Sequence, residues 1–445
     1  MMADWKGRTH LRVGACIDGT GAQRRGPSVI GFTGDRLEAV TPAEEWSGPA
    51  PGERVIDARH LTALPGLIDC HVHFQGIPVT RIYPELADSV FETMVEHSDV
   101  ELGMSDGIRL MAGVANARCA LGAGITTARD CGGWGDVPFW LRHGVQLGIV
   151  PGPRILISGP IVTVTGGHGY FGGGEVDGTD EARKMTRSLI KRGVDFIKVA
   201  ATGGLATAAT NPGHRGLSRE ELTAIVEEAH RTQRKVAAHI LGVDGMEPAL
   251  DAGVDVFEHV WFMKSDRSMD YREELLLRMR DAGVQCSPTP ATEYRLVELI
   301  NERAERGIAT EGEIAVGQWS AERVERNLEM VLRMKELGIL IGHGTDAGVS
   351  YIPFDDYALG LELLVTAGMS PMDALLAATR DAAQIVDVDA GTLEPGKLAD
   401  ITLVRGHPDV DISSLRAVQM TFVGGQLLYD AGAGEERKIQ SCSST

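Results

Sequence analysis

Pro65-Gly66-Leu67-Ile68-Asp69-Cys70-His71-Val72-His73 is the stretch on which the fold of this chain turns. An apolar run ends in two histidines one residue apart. The two-residue period of a strand puts His71 and His73 on one face, with Val72 on the other. Two imidazoles side by side where a strand ends can grip one metal ion.

Outward from this stretch, short apolar runs alternate with longer helical stretches, the pattern of a parallel α/β fold. Eight candidate strands stand at 64–73, 125–131, 153–162, 195–202, 235–241, 254–262, 284–289 and 338–346. Helices fall between several of them. One spans Ser218–Arg234 and opens with a capping box of Ser218 and Glu221. Eight strand–helix units predict a (β/α)8 TIM-like barrel with insertions. A doubly wound open sheet is the alternative, but no dinucleotide glycine fingerprint follows the first strand.

The flanks read differently. Leu11–Ile17, Ser28–Phe32 and Val55–Asp57 are short strand-like runs, and similar runs return at Ala399–Val404, Val418–Val423 and Gln426–Tyr429 after a Gly424-Gly425 turn. Neither end alone is large enough for a core, so the two are expected to combine as a small β-sandwich domain. The expected organisation is 1–62 and 389–432 for that domain, 63–388 for the barrel and 433–445 as a flexible tail.

A chain of 445 residues suits a large domain with a satellite. Its net charge of -19, with no compensating basic run, argues against nucleic acid and anionic membranes as partners. The six cysteines include no C-x-x-C pair, and a disulfide framework is not expected at this size. With no apolar signal core at the start and no run of membrane-spanning length, the expectation is a reduced, soluble, cytoplasmic protein acting on a small molecule, with a homo-oligomer possible.

In a barrel of this kind the reactive groups sit at the C-terminal ends of the strands. Strand 1 ends in His71 and His73, and strand 4 holds Lys198 inside an apolar run. Strand 5 ends in His239, strand 6 in His259 and strand 8 in Asp346. Singly, each has a plainer explanation. A histidine at a strand end is usually a satisfied polar group, a lysine can snorkel to the surface, and an aspartate can cap the next helix. Five of eight strands ending in ligand-type residues make coincidence the poorer account.

The order His-x-His, Lys, His, His, Asp on strands 1, 4, 5, 6 and 8 resembles the amidohydrolase superfamily. The resemblance extends to Gly122–Asp130 and to Gly391–Asp400. Within it the chain is most similar to the branch of Xaa-Pro dipeptidases and imidazolonepropionase-like enzymes, with phenylurea and thiocarbamate hydrolases nearby. The resemblance implies two divalent metal ions, zinc or else manganese or cobalt. His71, His73 and Asp346 would hold the more buried ion, and His239 and His259 the second. Lys198, carboxylated by carbon dioxide, would bridge them, because a carbamate offers anionic oxygen where an ammonium repels cations. A hydroxide shared by the ions would attack the substrate, with Asp346 as the catalytic proton carrier. The implied reaction is hydrolysis of a C–N bond in an amide, dipeptide, urea or carbamate. Lactone, ester or phosphotriester hydrolysis, or a non-catalytic scaffold, are the alternatives.

Other residues divide by the same alternation. His343, Glu258 and Cys70 are expected to face away from the site, and His143 and His230 to lie on helix surfaces. The glycine-rich loop Thr165–Gly174 lacks the G-K-[ST] of a phosphate loop and is expected to present His168 and Tyr170 to substrate. In dipeptidase relatives an aromatic residue before the serine of the strand 4 loop helps to hold a substrate carboxylate. Leu217 stands there, which weakens a dipeptidase assignment, and Arg215 is the candidate replacement.

Overall fold

The computed structural model describes residues 7–77, 103–205, 207, 210–349 and 351–432. The chain opens with β1 (Arg8–Cys16), β2 (Ser28–Thr33), β3 (Arg36–Pro42) and β4 (Arg54–Pro65). The central strands are β5 (Leu67–Val72), β6 (Ile125–Asp130), β7 (Arg154–Ile157), β8 (Ile197–Ala200), β9 (Val236–Gly242), β10 (Val256–Met263) and β11 (Gln285–Ser287). Three more close the chain: β12 (Ile401–Val404), β13 (Val418–Val423) and β14 (Gln426–Asp430).

Both ends of the chain meet in one seven-stranded sheet, in the order β14-β13-β12-β4-β1-β2-β3. The seven strands hydrogen-bond as one continuous sheet, to which both ends of the chain contribute. Leu11, Val13, Ile30 and Phe32 from the first segment share an apolar cluster with Leu403 and Phe422 from the last. Burying these side chains together gives two distant segments a common core that neither could form alone. The proposed tail, 433–445, lies outside the described residues.

The central strands form two parallel sheets, β5-β6-β7 and β8-β9-β10-β11. They do not join into one continuous ladder. Isolated parallel bridges connect their edges: Val162 to Val199, Cys286 to Ile341 and Val72 to Ala347. The expected eighth strand is therefore a bridged segment without a regular ladder. It runs through Gly342 and Gly344, where backbone passes close to its neighbours. A Cβ on Gly344 would come within 2.5 Å of Ser287 Oγ and 2.9 Å of His71 Cβ.

Helices follow the strands: α1 (Asp106–Gly122), α2 (Val137–Gln146), α3 (Thr179–Arg192), α4 (Arg219–His230), α5 (Val243–Ala252) and α6 (Glu273–Ala282). Then come α7 (Ala291–Glu305), α8 (Glu311–Glu336), α9 (Tyr357–Thr366), α10 (Pro371–Ala377) and α11 (Arg380–Val386). The capping box of Ser218 with Glu221 is present at the start of α4, and α4 ends four residues earlier than the periodicity suggests. The central strands are buried along almost their whole length by these helices. Among the described residues, no helix is long and apolar enough to cross a membrane.

Candidate metal centre

His71 at the end of β5 and His73 just beyond it approach one carboxylate. Their Nε2 atoms lie 3.5 and 3.3 Å from Oδ1 of Asp346. The rings continue as a chain, with centroids 4.9 Å apart for His71 and His259, 4.7 Å for His259 and His239, and 4.1 Å for His239 and His168. Ligand atoms of His71, His259 and Asp346 all lie within 4.8 Å of one another. Strand ends far apart in sequence thus converge at one point.

The backbone bends to make this possible. His259 has φ +69° and Asp346 φ +61°, left-handed values that L side chains rarely adopt. Such strain, of order 1–3 kcal/mol per residue, persists where the surroundings over-determine it and clusters at functional sites. Asp69 is one of the groups holding Asp346 in place. Its carboxylate accepts from the backbone N–H of His71 and Thr345, both at 3.1 Å, and from the Thr345 hydroxyl at 2.6 Å.

Each imidazole is oriented through one nitrogen, which fixes the other as the free ligand atom. Nδ1 of His71 bonds Glu258 at 2.8 Å, Nδ1 of His73 the carbonyl of Gly132 at 2.9 Å, and Nδ1 of His259 the Thr289 hydroxyl at 2.8 Å. His239 is held the other way, with Nε2 at 3.2 Å from the Gly203 carbonyl. Burial lowers His259 to about 4 and holds His71 and His239 well below the usual imidazole range. These rings are neutral near pH 7, as metal ligands must be. Burial alone would raise the Asp346 carboxyl, but His71 and His73 outweigh it and keep it ionised.

Lys198 lies in β8, 1% exposed, and its Nζ has no hydrogen-bond partner among the described residues. An unpartnered ammonium buried among histidines is costly. The donor set of His71, His259 and Asp346 therefore fits a divalent metal ion.

Alternation along β10 places Glu258 away from the site, and the structure overturns that expectation. Glu258 is fully buried between Arg129, whose guanidinium donates to Oε1 at 2.5 Å, and His71. A second group, His71 with Cys131 and Glu258, also clusters within 4.8 Å. Burial pushes the Cys131 thiol up to about 12, which opposes the thiolate a metal needs.

His343 does face away, with Nε2 at 3.1 Å from the Tyr357 carbonyl. Cys70 is buried, and His143 and His230 are exposed on α2 and α4. His168 joins the cluster, its Nδ1 2.9 Å from the Thr207 hydroxyl. Tyr170 and Arg215 are exposed, and among the described residues no hydrogen bond ties either to these histidines. Leu217 is fully buried in the main core.

The model of the amidohydrolase family matches residues 62–428. The chain is 29% identical to ochratoxinase from Aspergillus niger, covering 96% of this chain and 88% of the relative. Among solved structures, a Xaa-Pro dipeptidase with methionine bound in its active site superposes with a TM-score of 0.79 at 28% identity, covering 96% of this chain and 100% of that one. A prolidase complexed with N-methylphosphonate-L-proline gives a TM-score of 0.78 at 25% identity, over 95% and 100%.

Proposed function

The chain belongs to the amidohydrolase family, and on that premise we propose that it is a metal-dependent hydrolase cleaving a C–N bond of a small molecule, in an amide, dipeptide, urea or carbamate. The observation that carries the reading is the buried, unpartnered Nζ of Lys198 among converging histidines. In this reading His71, His73 and Asp346 would hold one divalent ion and His239 and His259 the other, with carboxylated Lys198 as a further ligand. Zinc suits the imidazole-rich set, with manganese or cobalt as alternatives. Bound there, such ions would polarise the scissile carbonyl and lower the pKa of water toward neutrality.

The chain's own residues do the rest. Asp346, kept ionised by His71 and His73, accepts the proton released as water adds to the carbonyl and passes it to the departing nitrogen. His168 is lowered to about 4 by burial and is neutral near pH 7. Anchored through Nδ1 on Thr207, it has Nε2 left to bond the substrate. Glu258, the Gly132 carbonyl and Thr289 keep their rings aligned throughout.

The same reading completes the architecture as a (β/α)8 barrel over 63–388. The parallel order of the strands and the three bridges at their edges support it. Residues 1–62 and 389–432 are then the second domain, supported by their shared sheet and apolar cluster.

Activity tests the proposal. Protein reconstituted with zinc, manganese or cobalt and bicarbonate is given N-acyl amino acids, Xaa-Pro dipeptides, arylureas and carbamates, and release of the amine is followed. Metal-dependent release from one class is the expected result. Metal-loaded protein that cleaves none of them would overturn it.

A further inference from the structure

The chain of rings at the centre ends in His168, and this ring is held differently from the other four. Its Nδ1 lies 2.9 Å from the hydroxyl of Thr207, and that hydroxyl also accepts the backbone N–H of Gly169 at 3.2 Å. Thr207 is buried in the loop after β8. It therefore ties that loop to the glycine-rich loop after β7. Thr210 holds Thr207 in turn, its hydroxyl 2.9 Å from the Thr207 carbonyl.

The ring sits in a slot. A Cβ on Gly204 would stand 2.2 Å from Nδ1, so a residue without a side chain is needed there. His239 packs against the ring at 4.1 Å between centroids. Lys198, His73 and Asp346 are close enough to act on its charge, which places it at the metal centre. Nε2 makes no hydrogen bond among the described residues.

Counting protons gives the direction of each bond. A backbone N–H can only donate, so Gly169 fills the accepting side of the Thr207 oxygen. The buried hydroxyl proton then needs an acceptor, and among the described residues Nδ1 of His168 is the one within reach. Nδ1 accepts, so the ring's own proton stands on Nε2. A ring that gained a second proton would still donate from Nε2. The other rings run the opposite way. At His71 and His73, Nδ1 faces the Glu258 carboxylate and the Gly132 carbonyl, so Nδ1 carries the proton and Nε2 keeps its lone pair. His239 gives Nε2–H to the Gly203 carbonyl and keeps the lone pair on Nδ1. The Thr289 hydroxyl receives no backbone N–H among the described residues, which leaves it to accept from Nδ1 of His259.

We propose that Thr207 is a positioning residue that fixes His168 as an Nε2–H donor, so that His168 neither ligates metal nor takes a proton but gives a hydrogen bond to an oxygen of the substrate. The proposal rests on the hydrolase reading of the adjoining centre. A nitrogen that carries its proton has no lone pair for a cation or for a second proton. A donor aligned in advance toward an oxygen that gains charge needs no reorganisation at the moment of reaction.

Proton–nitrogen correlation spectra of zinc-loaded protein with isotope-labelled histidine test it, since they tell Nε2–H from Nδ1–H directly. The His168 signal is the one lost in His168→Gln. Wild type should show Nε2–H. Thr207→Val removes the hydroxyl and keeps the shape, and should give a mixture of the two tautomers. It should also lower kcat/KM by roughly threefold to 30-fold at unchanged metal content. Thr207→Ser, which restores the hydroxyl, should restore both. Nδ1–H in wild type, or a Thr207→Val ring that stays wholly Nε2–H, overturns the proposal. A mixed ring with unchanged kcat/KM removes the bond to substrate. If Thr207→Val fails to fold, the wild-type and Thr207→Ser spectra decide, with Nε2–H required in both. If wild type hydrolyses nothing, the hydrolase reading fails, and the spectra still decide what Thr207 does to the ring.

Discussion

Glu258 and His71 are joined by a 2.8 Å hydrogen bond, with side chains 0% and 1% exposed, and Arg129 closes on the other carboxylate oxygen. This relationship fixes which nitrogen of His71 faces the centre. Glu258→Gln should weaken metal binding by roughly 10- to 100-fold, the usual cost of losing a group that orients a ligand. It should also destabilise the metal-free fold by about 3 kcal/mol, because the buried Arg129 loses its counter-charge. Competition titration with a chelator and denaturant unfolding measure the two effects. Unchanged metal affinity would show that the hydrogen bond does not tune His71.

Asp346→Asn separates holding the metal from moving the proton. The amide retains an oxygen for coordination but cannot accept a proton, so much of the metal should remain. Turnover should fall by roughly 10²- to 10⁴-fold. Metal content and kcat on the same preparation check this. Near-normal turnover would remove Asp346 as the proton carrier.

Burial lowers His259, His168 and His343 to about 4 and holds His71 and His239 well below the usual imidazole range. Unfolded, each would take up a proton near pH 6.5. Their contribution to stability is therefore fully present above the unfolded value and is lost as pH falls toward the folded one. His73 works the other way. Burial lowers it, but the hydrogen bond and charge of Asp346 outweigh that and raise it, so its contribution is present at low pH and lost as pH rises. The lowered rings are the majority. The Tm of metal-free protein should fall between about pH 7 and about pH 4, read by calorimetry. A flat or rising Tm across that window contradicts the neutral, buried cluster.

His343→Gln probes the register of the bridged segment after α8. His343 bonds the Tyr357 carbonyl and stacks edge-on against the Tyr357 ring at 4.7 Å. The substitution should change metal content and kcat by less than roughly twofold while lowering stability by about 1 kcal/mol. A large loss of bound metal would place His343 at the centre after all.

The ligand-type residues were readable in the sequence because their spacing follows the strands. His71 and His73 reach one carboxylate as a two-residue period requires, and Lys198 sits within a regular strand. Glu258 escaped that logic for a physical reason. β10 leaves extended geometry at His259 and Val260, where φ turns positive, so residues on opposite faces of an ideal strand both reach the centre. The eighth strand was legible as a position but not as an irregular segment, since close passage at Gly342 and Gly344 depends on neighbours distant in sequence. The single seven-stranded sheet depends on long-range register in the same way. Thr207 gave no sequence signal, being one hydroxyl among several in the loop after β8 until folding set it against His168.

Metal content of the purified protein by plasma emission, wild type beside Lys198→Ala, decides whether Lys198 takes part in holding a metal pair. About two divalent ions per wild-type chain are expected after reconstitution with bicarbonate, with loss of the pair and of most activity in the variant. Wild type without bound metal, or a Lys198→Ala protein that keeps both ions and full turnover, would contradict it.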